Sequence, residues 1–271
     1  MLMKTSLDFR ARYGAWALVA GGSEGLGAAF ADELAARGLN LFLCARRSGP
    51  LESTAARLRA NHGVQVKTVA VDLARPDAVA TVRREAAGLE IGLLVCDAAV
   101  AFTGPFLKQD PSEYRRMLDV NCGSFVELIH GYAGEMTGRK RGGIIVMSSL
   151  AAFQGSPLVA VYGATKAFLL SLAEAVGDEL KEDGVDVLAC CPAVVLTPHF
   201  LSDTPATGKK VPMSLEPVVV AREAIAGLGR KRVVVPGAMG KIARFMMGRL
   251  MSRGATVKMM GRSTRGMYGT R

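Results

Sequence analysis

The stretch Ala15-Trp16-Ala17-Leu18-Val19-Ala20-Gly21-Gly22-Ser23-Glu24-Gly25-Leu26-Gly27 decides the fold. Ala15 to Ala20 is a short apolar run that ends in glycine, the pattern of a strand buried on both faces, and from Gly25 to Arg37 the spacing turns helical. A glycine-rich turn between strand and helix lets the backbone come close to a diphosphate, whose charge the helix N-terminus then stabilises. Gly21, Ser23, Glu24, Gly25, Leu26 and Gly27 are therefore candidate contacts to a dinucleotide. The other reading of these residues is an ordinary glycine-rich turn.

Outward from this turn, apolar runs and helical patterns alternate. Leu39 to Ala45 predicts a strand and Leu51 to Asn61 a helix. Gln65 to Val71, Leu93 to Cys96, Gly143 to Ser148, Val185 to Cys191 and Arg232 to Val235 predict further strands, with helical stretches between them. Continuous apolar strands separated by helices imply a doubly wound α/β domain, its parallel sheet covered on both faces.

Composition narrows the class. The chain has 271 residues, half of them hydrophobic and 21% charged, which excludes a disordered protein and a small disulfide scaffold. Its cysteines are Cys44, Cys96, Cys122, Cys190 and Cys191, an odd number and mostly within apolar runs, which predicts reduced core residues and a cytoplasmic location. No apolar stretch has the length of a membrane span and none leads into a cleavage site, so neither a transmembrane helix nor a signal peptide is expected. The net charge of +10 is local: Arg230 to Arg271 holds 11 Lys and Arg and no acidic residue, leaving 23 basic against 24 acidic residues elsewhere. With no recognition module beside that charge, nucleic-acid binding is not expected.

In dinucleotide folds the end of the second strand meets the adenosine ribose. Here it reads Cys44-Ala45-Arg46-Arg47. With no acidic residue to accept from the ribose hydroxyls, the arginines favour a 2′-phosphate and hence NADP(H), with Glu24 opposing it if it points inward. Asp72 and Leu73, after the third strand, are placed to meet the adenine. Ser149 ends the strand Ile144 to Met147, and Tyr162-Gly163-Ala164-Thr165-Lys166 begins thirteen residues later. A Tyr and a Lys four apart share a helix face, so the ammonium is expected to depress the phenol's pKa and make a proton donor near neutrality, with Ser149 holding a substrate oxygen beside it.

With these residues the chain resembles the short-chain dehydrogenase/reductase family from Ala15 to about Val235. The resemblance rests on the glycine turn, Asp72, Asn121, Ser149, Tyr162, Lys166 and Pro192-Ala193-Val194-Val195-Leu196-Thr197 in the family's order. It implies a Rossmann-type fold, a nicotinamide cofactor and a catalytic tetrad. Asn121 would hold a helix kink and a relay water, Ser149 orient the carbonyl, Tyr162 serve as acid or base, and Lys166 grip the nicotinamide ribose. Pro192, Val195, Thr197 and Ala98 would line the cofactor, Thr197 at the carboxamide. Four positions depart from the family pattern: Ala20 replaces Thr, Cys96-Asp97-Ala98-Ala99 replaces Asn-Asn-Ala-Gly, Ala193 replaces Gly, and Glu24 is acidic. They bear on cofactor geometry more than on proton transfer.

Arg12 to Val19, Gly88 to Gly92 and Met260 to Arg265 are similar to the branch holding very-long-chain 3-oxoacyl-CoA reductases and 17β-hydroxysteroid dehydrogenases. Leu169 stands where enoyl reductases carry their lysine, so a carbonyl or alcohol is the expected substrate. Residues 197–216, broken by Pro198, Pro205, Gly208 and Pro212, form the expected substrate lid, with Phe200, Leu201, Val211 and Met213 as an apolar wall. Ser214-Leu215-Glu216-Pro217 is expected to open a helix.

Domain limits are expected at 1–240 for the dinucleotide-binding domain and 241–271 for a basic amphipathic extension. In the extension, Ile242, Phe245, Met246 and Leu250 fall near one helical face. Three readings of it stand open: a roof over an apolar substrate, a patch for anionic phosphates or a membrane surface, and a packed or oligomer-forming helix. His62, His130 and His199 are scattered, and no metal is expected. The expectation is an NADP(H)-dependent oxidoreductase of lipid metabolism acting on an apolar ketone or alcohol, as a homo-oligomer. The alternative is a non-catalytic NADP-binding regulator or a membrane-surface protein.

Overall fold

A computed structural model describes residues 6–203 and 213–269. The chain begins with α1 (Ser6–Tyr13), β1 (Trp16–Ala20), α2 (Gly25–Ala35), β2 (Asn40–Ala45), α3 (Ser48–His62) and β3 (Val66–Ala70). It continues with α4 (Ala78–Glu85), β4 (Ile91–Cys96), α5 (Pro111–Leu118), α6 (Ser124–Gly138), β5 (Gly142–Met147), α7 (Ala160–Glu179) and β6 (Val185–Cys190). Then come β7 (Val194–Val195), α8 (Pro198–Asp203), β8 (Ser214–Leu215), α9 (Pro217–Gly227), β9 (Val233–Val234), α10 (Ala238–Phe245) and α11 (Arg253–Tyr268).

The main sheet has seven strands in the order β3-β2-β1-β4-β5-β6-β9, all parallel. The doubly wound expectation holds, and its cause is visible along β1. Ala17 and Val19 pack with Phe30 and Leu34 of α2, Leu58 of α3 and Ala224 of α9. Leu18 and Ala20 pack on the other side with Val82 of α4, Phe125 and Leu128 of α6 and Leu169 of α7. Neither face meets water, so the strand carries no alternation of polar and apolar residues. Strand order reverses between β1 and β4, where the carboxyl ends of both strands open a crevice.

The Arg12-Tyr13 stretch anchors α1 across the bottom of the sheet. The buried Tyr13 hydroxyl donates to Asp186 Oδ2 at 2.9 Å, and Arg12 donates to the same oxygen through Nε at 3.1 Å and Nη2 at 3.0 Å.

One expectation is corrected. Ser214 and Leu215 do not open a helix: they pair with Val194 and Val195, and α9 starts at Pro217, which suits the first helical turn because its missing N–H has no partner to lose. The basic extension expected over 241–271 is helical in two pieces. Helix α10 begins at Ala238, passes through a wide turn at Met246–Leu250 and stops. Helix α11 starts afresh where Ser252 Oγ accepts from Ala255 N at 3.3 Å. Of the expected lid, Phe200, Leu201 and Met213 are described, whereas Pro205, Gly208, Val211 and Pro212 lie outside the described residues.

Candidate active site

The glycine turn after β1 is built by close backbone approach. Gly21 and Gly22 donate to Cys44 O at 2.8 and 3.2 Å, which sets the turn over the end of β2. At Gly21, φ is +100°, and a Cβ there would lie 2.6 Å from Ala98 N. A Cβ on Gly27 would lie 2.1 Å from Gly21 O and 3.0 Å from Asp97 Oδ2. At Gly25, φ is +55°, and a Cβ would stand 3.1 Å from the Thr197 side chain. Side chains would fill this cradle, so its residues fit the diphosphate of a dinucleotide. Ser23 is fixed by its carbonyl, which accepts from Thr54 Oγ1 at 2.7 Å, and Leu26 is buried beneath the turn. Thr197 Oγ1 accepts from Phe200 N at 3.2 Å, Pro192 O accepts from Leu150 N at 2.8 Å, and Val195 lies in the β7–β8 pair.

At the end of β2 the two arginines differ. Arg47 is ion-paired with Glu24, so the acidic residue of the turn spends its charge on a neighbour. Arg46 is exposed and makes no ion pair among the described residues. Asp72 accepts from Arg116 at 2.8 Å and from Ala74 N at 3.1 Å. Burial opposes ionisation of Asp72, but these partners outweigh it and hold the carboxyl below its usual range. Its side chain is thus already engaged, and Leu73 next to it is buried.

The four expected catalytic residues come from three elements. Asn121 is fully buried in a five-residue π turn, Asp119–Gly123, that joins α5 to α6 and supplies the expected kink. Its carboxamide accepts from Val100 N at 2.8 Å and donates to Val100 O at 2.9 Å and Thr165 Oγ1 at 3.2 Å. The loop after β4 is thereby tied to α7. Ser149 follows β5, where its Oγ accepts from Ala151 N at 3.1 Å. Ser148 Oγ donates to Lys166 O at 2.7 Å and pins α7 to the same strand end. The Ser149 hydroxyl lies close enough to Tyr162 to favour its phenolate.

The electrostatics of Tyr162 and Lys166 correct the sequence reading. Burial pushes the Tyr162 phenol up to about 12, the Ser149 hydroxyl pulls it down, and the nearby Tyr268 and Asp97 push it further up. Lys166 lies beside the ring. The ammonium, 2% exposed, donates to Met147 O at 2.8 Å and stands 5.6 Å from the centre of the Tyr162 ring. It faces the Asp97 carboxylate, one of the departures from the family pattern. Burial lowers Lys166 and raises Asp97, and each favours the charged form of the other. The Asp97 carboxylate also lies against Gly27, where a Cβ would stand 3.0 Å from its Oδ2, so one carboxylate borders the glycine turn and acts on Lys166.

Asp97 and Tyr268 are the site residues that motif reading missed. Asp97 stood out only as a departure, and its charge partner lies on a distant helix. Tyr268 ends α11, whose Val257 and Gly261 pack on the Gly155–Pro157 loop between Ser149 and Tyr162. No motif marks a contact of that kind.

If Asp97 is the counter-ion of Lys166, Asp97→Asn removes the charge that keeps the ammonium protonated. The alkaline limb of kcat/KM for ketone reduction should then move acidward by about one pH unit or more. A limb that does not move would assign Lys166 another counter-ion.

A glycine cradle at the switch point, a neighbouring Ser-Tyr pair and a buried lysine beside them define an enzyme of hydride and proton transfer. Residues 15–207 match the short chain dehydrogenase family, and the chain belongs to it. Among its relatives, the 7beta-hydroxysteroid dehydrogenase of Clostridium sardiniense is 32% identical over 235 residues, 87% of this chain and 90% of that protein. A very-long-chain 3-oxoacyl-CoA reductase-like protein of Arabidopsis thaliana is 33% identical over 223 residues, 80% of this chain and 71% of its own. A 7beta-hydroxysteroid dehydrogenase structure superposes with a TM-score of 0.88 at 31% identity, covering 93% of this chain and 98% of the other. A short-chain dehydrogenase from Sphingobium yanoikuyae in complex with NADPH gives 0.75 at 30% identity, covering 88% and 96%.

Proposed function

We propose that the protein is an NADP(H)-dependent oxidoreductase that interconverts a ketone and a secondary alcohol on a bulky apolar substrate of the hydroxysteroid or 3-oxoacyl class. The observation that carries this reading is the position of Asp97. It lies against Gly27 of the glycine turn while its charge acts on both Tyr162 and Lys166, so the dinucleotide cradle and the proton-transfer pair form one continuous site.

The nicotinamide supplies the hydride for reduction or accepts it in oxidation. Ser149 and Tyr162 present two hydroxyls to one substrate oxygen. At neutral pH Tyr162 is protonated, the form that donates to the alkoxide generated on reduction. Lys166 holds positive charge beneath the phenol, fixed by Met147 O and balanced by Asp97. Asn121 keeps the loop after β4 and the catalytic helix in register.

Cofactor choice rests on Arg46, whose planar guanidinium suits a 2′-phosphate in a bidentate grip. Arg46→Ala is expected to raise the NADPH dissociation constant about tenfold or more, with little change for NADH. An equal effect on the two would remove Arg46 from the phosphate site. The named relatives and α11 packed beside the catalytic loop support an apolar substrate. The same reading includes a cytoplasmic enzyme, consistent with five unpaired cysteines, and a homo-oligomer, for which the exposed Leu107, Leu118 and Val126 are candidate contacts.

The test is fluorescence titration with NADPH and NADH, followed by NADPH oxidation against hydroxysteroid ketones, 3-oxoacyl thioesters and small ketones. NADPH-selective binding with turnover of a bulky ketone is expected. Turnover of small ketones alone would overturn the substrate class.

A further inference from the structure

Helix α10 is inside out. A surface helix ordinarily turns its large apolar side chains toward the core. Here Gly240 and Met247 face inward, whereas Met239, Ile242, Phe245, Met246 and Leu250 are 44–69% exposed. An apolar stripe of this length on a solvent-facing surface marks a place where something else docks.

The charge around the stripe indicates what that partner is. A cavity of about 690 Å³ opens beside it, lined by Phe245, by Arg230, Lys231, Arg244 and Arg249, and by Glu174 and Glu223, of which Glu223 is ion-paired with Lys241. Arg244 is spent on the Phe153 ring, 4.1 Å from its centre. Arg230, Lys231 and Arg249 have no ion pair among the described residues, nor do the exposed Arg253, Lys258, Arg262 and Arg265 of the following segment. Not one acidic residue follows Arg230 in the chain. A second copy docked symmetrically on the stripe would set this cationic surface against itself. An anionic lipid surface accepts both components, since the charges meet headgroups while the methionine, isoleucine, phenylalanine and leucine side chains enter the acyl boundary.

We propose that α10 and the turn after it form a docking face for an anionic bilayer, on which the enzyme lies peripherally. The stripe contains none of the residues placed in the catalytic or cofactor site, so the face and the chemistry are separable.

The experiment is sedimentation of the full chain with vesicles of phosphatidylcholine alone and of phosphatidylcholine with roughly one-third phosphatidylglycerol. Binding to the anionic vesicles is expected at least about tenfold above the neutral ones, weakening as salt is raised. The pair Ile242→Glu with Leu250→Glu should reduce it about tenfold or more while ketone reduction in solution stays at the parent level. Arg249→Gln with Arg253→Gln should weaken it through charge alone. Equal binding to both vesicle types, or binding that the glutamate pair leaves intact, overturns the proposal. So does absence of vesicle binding in a protein that sediments as a dimer and is dissociated by the glutamate pair, which would assign the stripe to a second copy.

Discussion

Tyr162→Phe should reduce turnover by about a thousandfold or more while the NADPH dissociation constant changes little. The substitution removes one oxygen from a half-buried side chain near Ser149 and leaves the ring beside Lys166 in place. Stopped-flow turnover together with fluorescence titration separates the two effects, and a variant with turnover near the parent level would sink the assignment of the proton donor. The parent enzyme should also show direction-dependent pH behaviour. A phenol pushed up to about 12 is protonated through the physiological range, which suits donation during reduction. Oxidation needs the phenolate, whose fraction grows about tenfold per pH unit below that value. Alcohol oxidation should therefore climb steeply from neutral to alkaline pH. Ketone reduction should not climb with it.

Gly21→Ala should damage both the fold and the cofactor site. The residue sits at φ +100°, where an L side chain is strained, and the added Cβ would meet the Ala98 amide at 2.6 Å. Neither atom belongs to a flexible side chain that could swing away. The expected cost is about 3 kcal/mol of stability, with NADPH affinity falling about tenfold or more as the turn opens. Gly38→Ala is the matched control: φ is +80°, but nothing lies within 4 Å of the new methyl. That change should cost about 1 kcal/mol through backbone strain alone and leave NADPH binding untouched. Chemical denaturation with cofactor titration of both variants measures the difference, and equal losses would mean that the close approach to Ala98 contributes nothing.

The parallel sheet was legible because each central strand is apolar on both faces, so the runs at β1, β2, β4 and β5 stand out from the helices between them. Strand ends shifted by a residue or two, since backbone pairing rather than hydrophobicity decides where a strand stops. The β7–β8 pair is two residues long on each side and leaves no periodic trace. The catalytic set was legible because Ser149, Tyr162 and Lys166 follow the spacing of one strand end and one helix face. The field around them was not. Whether Lys166 lowers the Tyr162 pKa depends on where its ammonium points, and that is decided by Met147 O and by Asp97 in the loop after β4. The pairing of Glu24 with Arg47, which leaves Arg46 as the available cation, is likewise a matter of side-chain reach across two loops.

Strand order also bears on how the chain is made. Strand β1 pairs on one edge with β2, but its other edge waits for β4, so a nascent chain that has emerged only as far as Glu90 carries an apolar strand with a row of unsatisfied amides and carbonyls. The glycine turn is equally unfinished, since Ala20 O accepts from Asp97 N and Ala98 N, which arrive with the same segment. During synthesis the nucleotide cradle and the closure of the sheet's central edge are therefore completed in one event. Ribosome-stalled or truncated chains that end before Ile91 would leave the β1 edge open to chaperones and to one another, and chains extended beyond Ala98 close that edge and move the open one to β4, where it waits for β5.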